Sequence, residues 1–375
     1  MRAAAHAAAL LLGMAACALG GCSDGDVSAP VVPAPALPEP ACDEGFADAT
    51  GPFVRIADAF ADSDPLTDRL CEEGSTPPGA LENPWDLHCA MASGRGAGVI
   101  DAAPPPQTLR VVTWNIEFGT DLAGVLAMLD ADPELAEADV LLLAEVDRGC
   151  TRSGGVDVAR TIAEALRMDW VFGVEFVEHA QGGCEEGNAV LSRVPLGNAR
   201  HAFHDSGGLE RGALHAPYDW SLDADEPRTG RRSFVGADVR FGGGLLHVVA
   251  SHLENRSSVE ERGAEVSEII ADIDALPRRR AVIAGDHNVY PDIGDAVVDA
   301  PLFDALAGAC FVNPHADMPQ LERRTRPNLG YQIDFTWLRG IGFGDHGVQN
   351  ALPERALPSD HYPVWVSIAE RPAAP

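Results

Sequence analysis

Lysine is absent from all 375 residues. Every fixed cation is therefore an arginine. The 27 basic residues face 57 acidic ones, for a net charge of -30. A surface of that sign repels phosphate backbones, which argues against a broad nucleic-acid platform. A small site where a metal ion and a few arginines locally outweigh the field stays open. CxxC spacings are also absent, which argues against a zinc cluster. After the N-terminal segment there is no second long apolar stretch, so no transmembrane helix is expected. No internal repeat occurs.

What is present is an ordinary globular composition, 46% hydrophobic and 22% charged, sized for one large domain or two small ones. It is preceded by a targeting segment. Arg2 supplies a positive start, and Ala3 to Ala18 is a small apolar run broken only by His6. The run ends in Leu19-Gly20-Gly21-Cys22. That order resembles the bacterial lipobox, so residues 1–22 are expected to be a lipoprotein signal peptide and Cys22 the acylated new N-terminus. An ordinary cleaved signal with an incidental cysteine is the alternative. Residues 23–41 read as a proline-rich tether carrying Pro30, Pro33, Pro35, Pro38 and Pro40. At about 3.1 Å per residue such a tether holds a domain roughly 40 Å off a membrane. The expected place is the bacterial cell envelope, lipid-anchored, on the outer membrane or the periplasmic face.

Apart from Cys17 and Cys22, six cysteines remain: Cys42, Cys71, Cys89, Cys150, Cys184 and Cys310. An even number in an exported chain points to disulfides, for which Cys150–Cys184 and Cys71–Cys89 are the preferred pairs. Residues 42–106 read as an irregular cysteine-containing extension closed by Pro104-Pro105-Pro106.

Residues 107–371 have regular periodicity. Leu109–Trp114, Asp139–Ala144, Trp170–Val177, Asn188–Ser192, Ser233–Val239, Leu245–Ala250, Ala281–Ala284, Ile333–Leu338 and Pro363–Ile368 read as strands. Helical spacing occupies Leu122–Leu129, Val156–Leu166 and Val259–Leu276, the last with Val266, Ile269, Ile270 and Ile273 on one face. Many strands interleaved with a few helices give a two-sheet α/β sandwich.

Several of these apolar runs lead into, or out of, a residue costly to bury unpaired. Asn115 follows Trp114, Glu145 follows Ala144, His252 follows Ser251, and Asp286 and Asn288 follow Gly285. Ile333 leads into Asp334, and Asp360 and His361 precede the last strand. Each alone is a turn former or a solvated strand end. Together they point to one sheet edge, where α/β proteins build sites. Hard oxygen ligands without cysteine suit Mg²⁺, Mn²⁺ or Ca²⁺. Two histidines and a further carboxylate suit in-line attack of water on phosphorus.

The ordered series Thr113-Trp-Asn-Ile116, Leu143-Ala-Glu145, Gly187-Asn-Ala-Val-Leu-Ser-Arg193, Ser251-His-Leu253, Gly285-Asp-His-Asn288, Ile333-Asp-Phe335 and Ser359-Asp-His-Tyr-Pro-Val364 resembles the endonuclease/exonuclease/phosphatase superfamily. The match spans Leu109 to Ile368. It implies a four-layer αββα sandwich with two mixed β-sheets and a divalent-metal-dependent hydrolase of phosphate esters. It implies Glu145 as principal metal ligand with Asn115 beside it and Asp360 completing the metal side, the ion being Mg²⁺ with Mn²⁺ or Ca²⁺ as alternatives. Asp286 would position or activate the water, and Asn288 would hold a phosphate oxygen. His361, oriented by Asp334, would bond the phosphate or move a proton; which of Asp286 and His361 is the base stays open. His252 would face the leaving group, and Asn188 would shape the substrate site from the neighbouring strand.

Two features depart from the family pattern. His287 stands where an apolar or aromatic residue is usual, and is read as packing sideways. The insert from Arg200 to Arg232, with Arg211, Arg228, Arg231 and Arg232, is either a substrate-selecting loop or an excursion. Arg148, Arg152, Arg323, Arg324 and Arg326 are candidates for a phosphate-binding mouth. His252 resembles the deoxyribonuclease, sphingomyelinase and phosphatase branches. The substrate classes carried forward are a lipid headgroup, an inositol phosphate, a nucleotide or a nucleic acid, acted on by a monomer. The competing readings are an exported nuclease for DNA or RNA, a catalytically inactive binding module on the same fold, and a surface structural protein binding Ca²⁺ weakly.

Overall fold

The structure, a computed structural model, describes residues 52–56, 91–99, 101, 104–205, 218–219, 228–276, 280–289 and 300–370. Cys22, the tether, the Cys71–Cys89 pair and Arg211 lie outside these residues.

The apolar runs become strands buried on both faces. β1 is Met91–Gly94, β2 Thr108–Phe118, β3 Val140–Arg148, β4 Asp169–Glu178 and β5 Cys184–Ser192. β6 is Leu196–Phe203, β7 Tyr218–Asp219, β8 Arg228–Gly230, β9 Ser233–Phe241 and β10 Gly244–His252. β11 is Ala281–Asp286, β12 Asp334–Arg339, β13 Gly342–Val348 and β14 Val364–Ala369. They form a nine-stranded sheet in the order β13-β14-β2-β3-β5-β4-β8-β7, with β1 also on β4, and a five-stranded sheet in the order β12-β11-β10-β9-β6. Both sheets are mixed: β2 runs parallel to β3, and β10 parallel to β11, while the other pairs are antiparallel.

Strand side chains alternate between faces, and that alternation builds the layers. Val111, Val140, Leu142, Val248 and Val282 fill the core between the sheets. Their neighbours Val112, Leu141 and Leu143 turn outward against α1 (Leu122–Ala131), the short α2 (Pro133–Ala136) and α3 (Val158–Leu166). Val249 and Ile283 turn outward against α4 (Val259–Ala275) and α5 (Ala300–Gly308). The result is helix, sheet, sheet, helix. A strand covered on both faces has no polar side, so it reads as a continuous apolar run rather than an alternation.

α4 begins at a reciprocal cap: Glu261 N–H donates to Ser258 Oγ, and Ser258 N–H donates to Glu261. Val266, Ile269 and Ile273 are its buried stripe. No helix of the described residues is long and apolar enough to cross a membrane. The Cys150–Cys184 disulfide ties the end of β3 to the start of β5. Part of the extension is built into the sheet: β1 pairs antiparallel with β4, and Gly96 N–H donates to Asp169 Oδ1 at 2.8 Å.

Candidate active site

Topology brings the polar residues to one edge. The parallel pairs β2–β3 and β10–β11 end there, with Asn115, Glu145, His252 and Asp286 at or near their carboxyl ends. An antiparallel neighbour must start where its partner ends, so β12 enters at Asp334, directly opposite Asp286 in the ladder. β14 likewise runs antiparallel to β2, Val364 facing Thr113, which delivers the preceding Asp360 and His361 to the same edge. His252, Asp286 and Asp334 thus stand abreast on β10, β11 and β12.

Two strands do not stop where the sequence suggested. β2 continues past Asn115 to Phe118 and β3 past Glu145 to Arg148, each through a register shift at the polar residue. Glu145 has φ 50°, Glu117 48° and Phe118 64°. Bulges re-aim side chains, and left-handed backbone in residues other than glycine costs about 1–2 kcal/mol each. The apolar runs continue because the outer strand ends are still covered; the bulges swing Glu145 and Glu117 out of the pleat. In the Gly285-Asp-His-Asn288 turn, Gly285 has φ 148°, and a Cβ there would lie 1.7 Å from the Ser251 carbonyl oxygen. Only glycine lets β10 and β11 pair that closely.

Asp286 is the centre. Asn115 Nδ2 donates to its Oδ2 at 3.2 Å, His252 Nε2 lies 3.6 Å from the same oxygen, and His361 Nε2 lies 3.7 Å from it. Its other oxygen accepts Asn288 N–H at 2.9 Å. Burial, followed by the charge of Asp334, pushes its carboxyl up to about 7. His361 Nδ1 bonds Asp334 Oδ2 at 2.8 Å. Burial presses the imidazole down, but Asp334 and Asp286 together outweigh it and hold His361 at about 10. The loop before His361 is clamped to β2: Ser359 Oγ donates to Asn115 O at 2.7 Å, and Trp114 Nε1 donates to His361 O at 2.9 Å. Thr325 ties the pair together. Its Oγ1 accepts Ile333 N–H and Asp334 N–H at 2.9 and 3.0 Å, and its carbonyl accepts Tyr362 N–H at 2.7 Å.

Glu145, Glu117 and Asp360 form a carboxylate group beside this centre. Burial raises Glu145, and a hydrogen bond from Asn115 opposes it. Burial, then the charges of Asp360 and Glu145, raise Glu117, whose carboxylate accepts the Asp360 N–H. Arg326 pairs with Asp360. Crowded hard oxygen donors whose own charges repel are what a divalent cation relieves, so these residues fit one. Two other clusters hold ligand atoms within 4.8 Å of one another: Asp286, Asp334, His361 and Glu175, Glu186, His252. In the first, His361 is already engaged by both carboxylates. In the second, a guanidinium occupies the cation's place: Arg232 Nη1 lies 3.1 Å from Glu175 Oε2 and 2.9 Å from His252 Nδ1.

The other expected positions divide. Asn288 Nδ2 donates to Leu253 O at 2.8 Å, which leaves one of its two amide hydrogens for a ligand. Asn188 is fully buried, with Nδ2 donating to Glu175 Oε1 at 2.9 Å and Ser233 O at 3.1 Å. Its amide nitrogen thereby holds Glu175. His287 does pack sideways: its ring stacks on Phe335 at 5.7 Å, accepts Trp337 Nε1–H at 3.4 Å, and burial lowers it to about 3. Arg148 and Arg152 do not line a mouth. Arg148 is 1% exposed, and Arg152 is bidentate on Asp147 at 2.8 and 2.9 Å. Neither end of the 200–232 insert is an excursion: Arg228 and Arg232 are buried, and His204 bonds Glu268 of α4 at 2.9 Å.

Sequence reading missed Glu117, Thr325 and Glu175, and named Arg232 only as one of the insert's arginines. Glu117 is legible only as an acidic residue two beyond Asn115, past the end of the apolar run. Arg232 carried a faint signal: it is the last residue of an arginine pair directly before an apolar strand, in a chain with no lysine to share the work.

A solved structure at a TM-score of 0.53 agrees with this architecture. No curated protein matches the chain. Among solved structures, an endonuclease/exonuclease/phosphatase from Beutenbergia cavernae DSM 12333 is 20% identical, with 71% of this chain and 72% of that one covered at a TM-score of 0.53. A humanized D. rerio TDP2 with 14 mutations is 17% identical over 70% of this chain and 99% of its own, TM-score 0.48. The human Nocturnin catalytic domain with bound sulfate is 15% identical over 72% and 96%, TM-score 0.49. Likeness at such identities concerns the fold alone. The sequence-family match is the stronger finding, because it runs over residues 112–361 and so takes in every polar residue gathered at the edge, from Asn115 to His361. On that match the chain belongs to the Endonuclease/Exonuclease/phosphatase family.

Proposed function

We propose that the protein is a divalent-metal-dependent hydrolase of phosphate esters, exported and membrane-tethered through Cys22, that works by in-line attack of an activated water. The observation that carries this reading is the set of contacts around Asp286, which meets Asn115, His252 and His361 within 3.7 Å. Glu145, Asn115, Glu117 and Asp360 would hold the cation, with Mg²⁺ the expected ion. When bound it supplies Lewis-acid stabilisation of charge growing on the phosphoryl oxygens.

The protein's own groups divide the remaining work. His361, held at about 10, carries protons on both ring nitrogens near neutrality and cannot accept another. It donates to a phosphoryl oxygen or to the leaving oxygen. Asp286, at about 7, is the group able to take a proton from water at neutral pH. Asn288 offers its remaining N–H to a non-bridging oxygen. Asp334 orients the imidazole and balances its charge, as a buried carboxylate does for a catalytic histidine elsewhere.

The substrate class is a phosphodiester or phosphomonoester, drawn from lipid headgroups, inositol phosphates, nucleotides or nucleic acids. The test is a screen of purified protein on bis-p-nitrophenyl phosphate, plasmid DNA, sphingomyelin and inositol phosphates, with EDTA and with added Mg²⁺ or Mn²⁺. Hydrolysis that EDTA abolishes and metal restores is expected. No hydrolysis of any of them under any metal would remove the reading in favour of a binding module.

A further inference from the structure

We infer that Arg232 fixes the tautomer of His252, leaving Nδ1 bare and the proton on Nε2, so that His252 serves as a neutral hydrogen-bond donor and not as a proton carrier. Arginine has five N–H donors and no acceptor, and it stays protonated in proteins. Its Nη1 lies 2.9 Å from His252 Nδ1. Two N–H groups cannot face each other at that distance, so Nδ1 must accept. A neutral imidazole with an accepting Nδ1 carries its hydrogen on Nε2, the nitrogen 3.6 Å from Asp286 Oδ2.

Arg232 cannot swing away to release the lock. Its side chain is 3% exposed. Nη1 also bonds Glu175 Oε2 at 3.1 Å, Nε lies 3.9 Å from Glu254 Oε2, and the guanidinium sits 5.2 Å from the Phe176 ring centre. Glu175 is itself fixed by Ser233 N–H at 2.7 Å and Asn188 Nδ2 at 2.9 Å. The buried line Asn188, Glu175, Arg232, His252 therefore ends at Asp286. It also gives the terminal residue of the insert a role at the reaction centre.

Protonating His252 would set a second cation against a buried guanidinium, where burial leaves the two charges poorly screened. Burial and Arg232 both hold its pKa well below the ordinary value, and Arg228, His361 and His287 add to this. The opposing carboxylates are Asp286, 3.6 Å from Nε2, and Glu175 and Glu186, whose oxygens lie within 4.8 Å of the ring and are themselves paired with Arg232 or Arg228. The consequence for chemistry rests on the hydrolase reading above. His252 can steady a phosphoryl oxygen or Asp286 through Nε2–H, but it cannot deliver a proton to the leaving oxygen. Among the two site histidines that task falls to His361.

The test is long-range ¹H–¹⁵N correlation on protein carrying ¹⁵N-histidine. The chain has 12 histidines, and the His252 signals are those lost in His252→Gln. We expect a single Nε2–H tautomer, unchanged between about pH 5 and pH 8, where an ordinary histidine titrates. A proton on Nδ1, or titration inside that window, would overturn the inference in the wild-type protein, whatever any variant does. Arg232→Met should let His252 titrate, and Arg232→Lys should preserve the tautomer. On a phosphodiester, His252→Gln keeps an N–H donor and should lose about tenfold less activity than His252→Ala. Equal losses would overturn the donor-only role. An Nε2–H tautomer in a protein inactive on every phosphate ester would leave the Arg232 lock standing and remove the hydrolase reading alone.

Discussion

Asp334 stands directly opposite Asp286 across the β11–β12 ladder, and His361 reaches both, with Nδ1 2.8 Å from the first and Nε2 3.7 Å from the second. Two buried carboxylates side by side repel, and the imidazolium between them makes the arrangement tolerable. Removing it should therefore affect chemistry and electrostatics together.

His361→Ala should cost at least about 10²-fold in turnover, the usual scale for losing a proton-transfer or charge-stabilising group. Asp334→Asn should cost less, because it misorients the imidazole without deleting it. The double variant should be little worse than His361→Ala, since groups that act as a unit are not additive. Steady-state kinetics on bis-p-nitrophenyl phosphate would read this. Two folded single variants as active as wild type would dismantle the site assignment.

The pH profile should report Asp286. A base held at about 7 works once deprotonated, so kcat/KM should rise as pH increases through about 7. It should fall again toward about 10, where His361 loses its proton. A bound cation would pull the acid limb lower. Asp286→Asn should remove that limb along with most of the rate; a profile with the limb intact would place the base elsewhere.

Glu145→Gln keeps the shape and removes one negative charge from the cation group. The Mg²⁺ concentration for half-maximal activity should rise and the maximal rate fall. Glu117→Gln should shift the metal requirement in the same direction, and more weakly, because Glu117 also accepts the Asp360 N–H. Metal titrations of both variants decide it. An unchanged requirement in both would move the cation away from these carboxylates.

Glu265, behind Glu254 and Arg232, offers a test read in stability rather than turnover. Burial raises it from an ordinary 4.5 to about 7, so the folded state favours the protonated form. That contribution is complete below the unfolded value and is lost as pH rises through about 7. Glu265→Gln stays neutral and can still accept Glu254 N–H, the 3.0 Å bond that Glu265 makes. It should match wild type at about pH 4 and exceed it by up to about 3 kcal/mol at about pH 8. Denaturant midpoints at both pH values measure this. Lower stability of the variant at the higher pH would mean that the charge is needed by Arg232 or His204.

For the proposed tether, a fatty-acid analogue should label the wild-type protein and not Cys22→Ala. Equal labelling of both, or none of either, would leave an ordinary exported chain.

The sequence by itself determined the layers and the roll of polar residues. Apolar runs such as Val140–Ala144 and Ala281–Ala284 demand burial on both faces, and the order of short motifs carries the family resemblance. Of its two preferred cysteine pairs, Cys150–Cys184 is a disulfide, and Cys71–Cys89 lies outside the described residues. Tertiary structure alone decided where those residues aim. The bulges at Glu117 and Glu145 are invisible in a pattern that shows only residue types, because their left-handed backbone is imposed by pairing with neighbouring strands. Arg148 and Arg152 look like free cations in a chain of net charge -30, yet each is drawn inward by carboxylates that folding places beside it. Arg232 is the sharpest case. Its distance from His252 along the chain is 20 residues, and nothing in their types pairs them. The antiparallel turn of β9 into β10 sets them at the same sheet edge, and the buried Glu175 then holds the guanidinium where the histidine must accept from it.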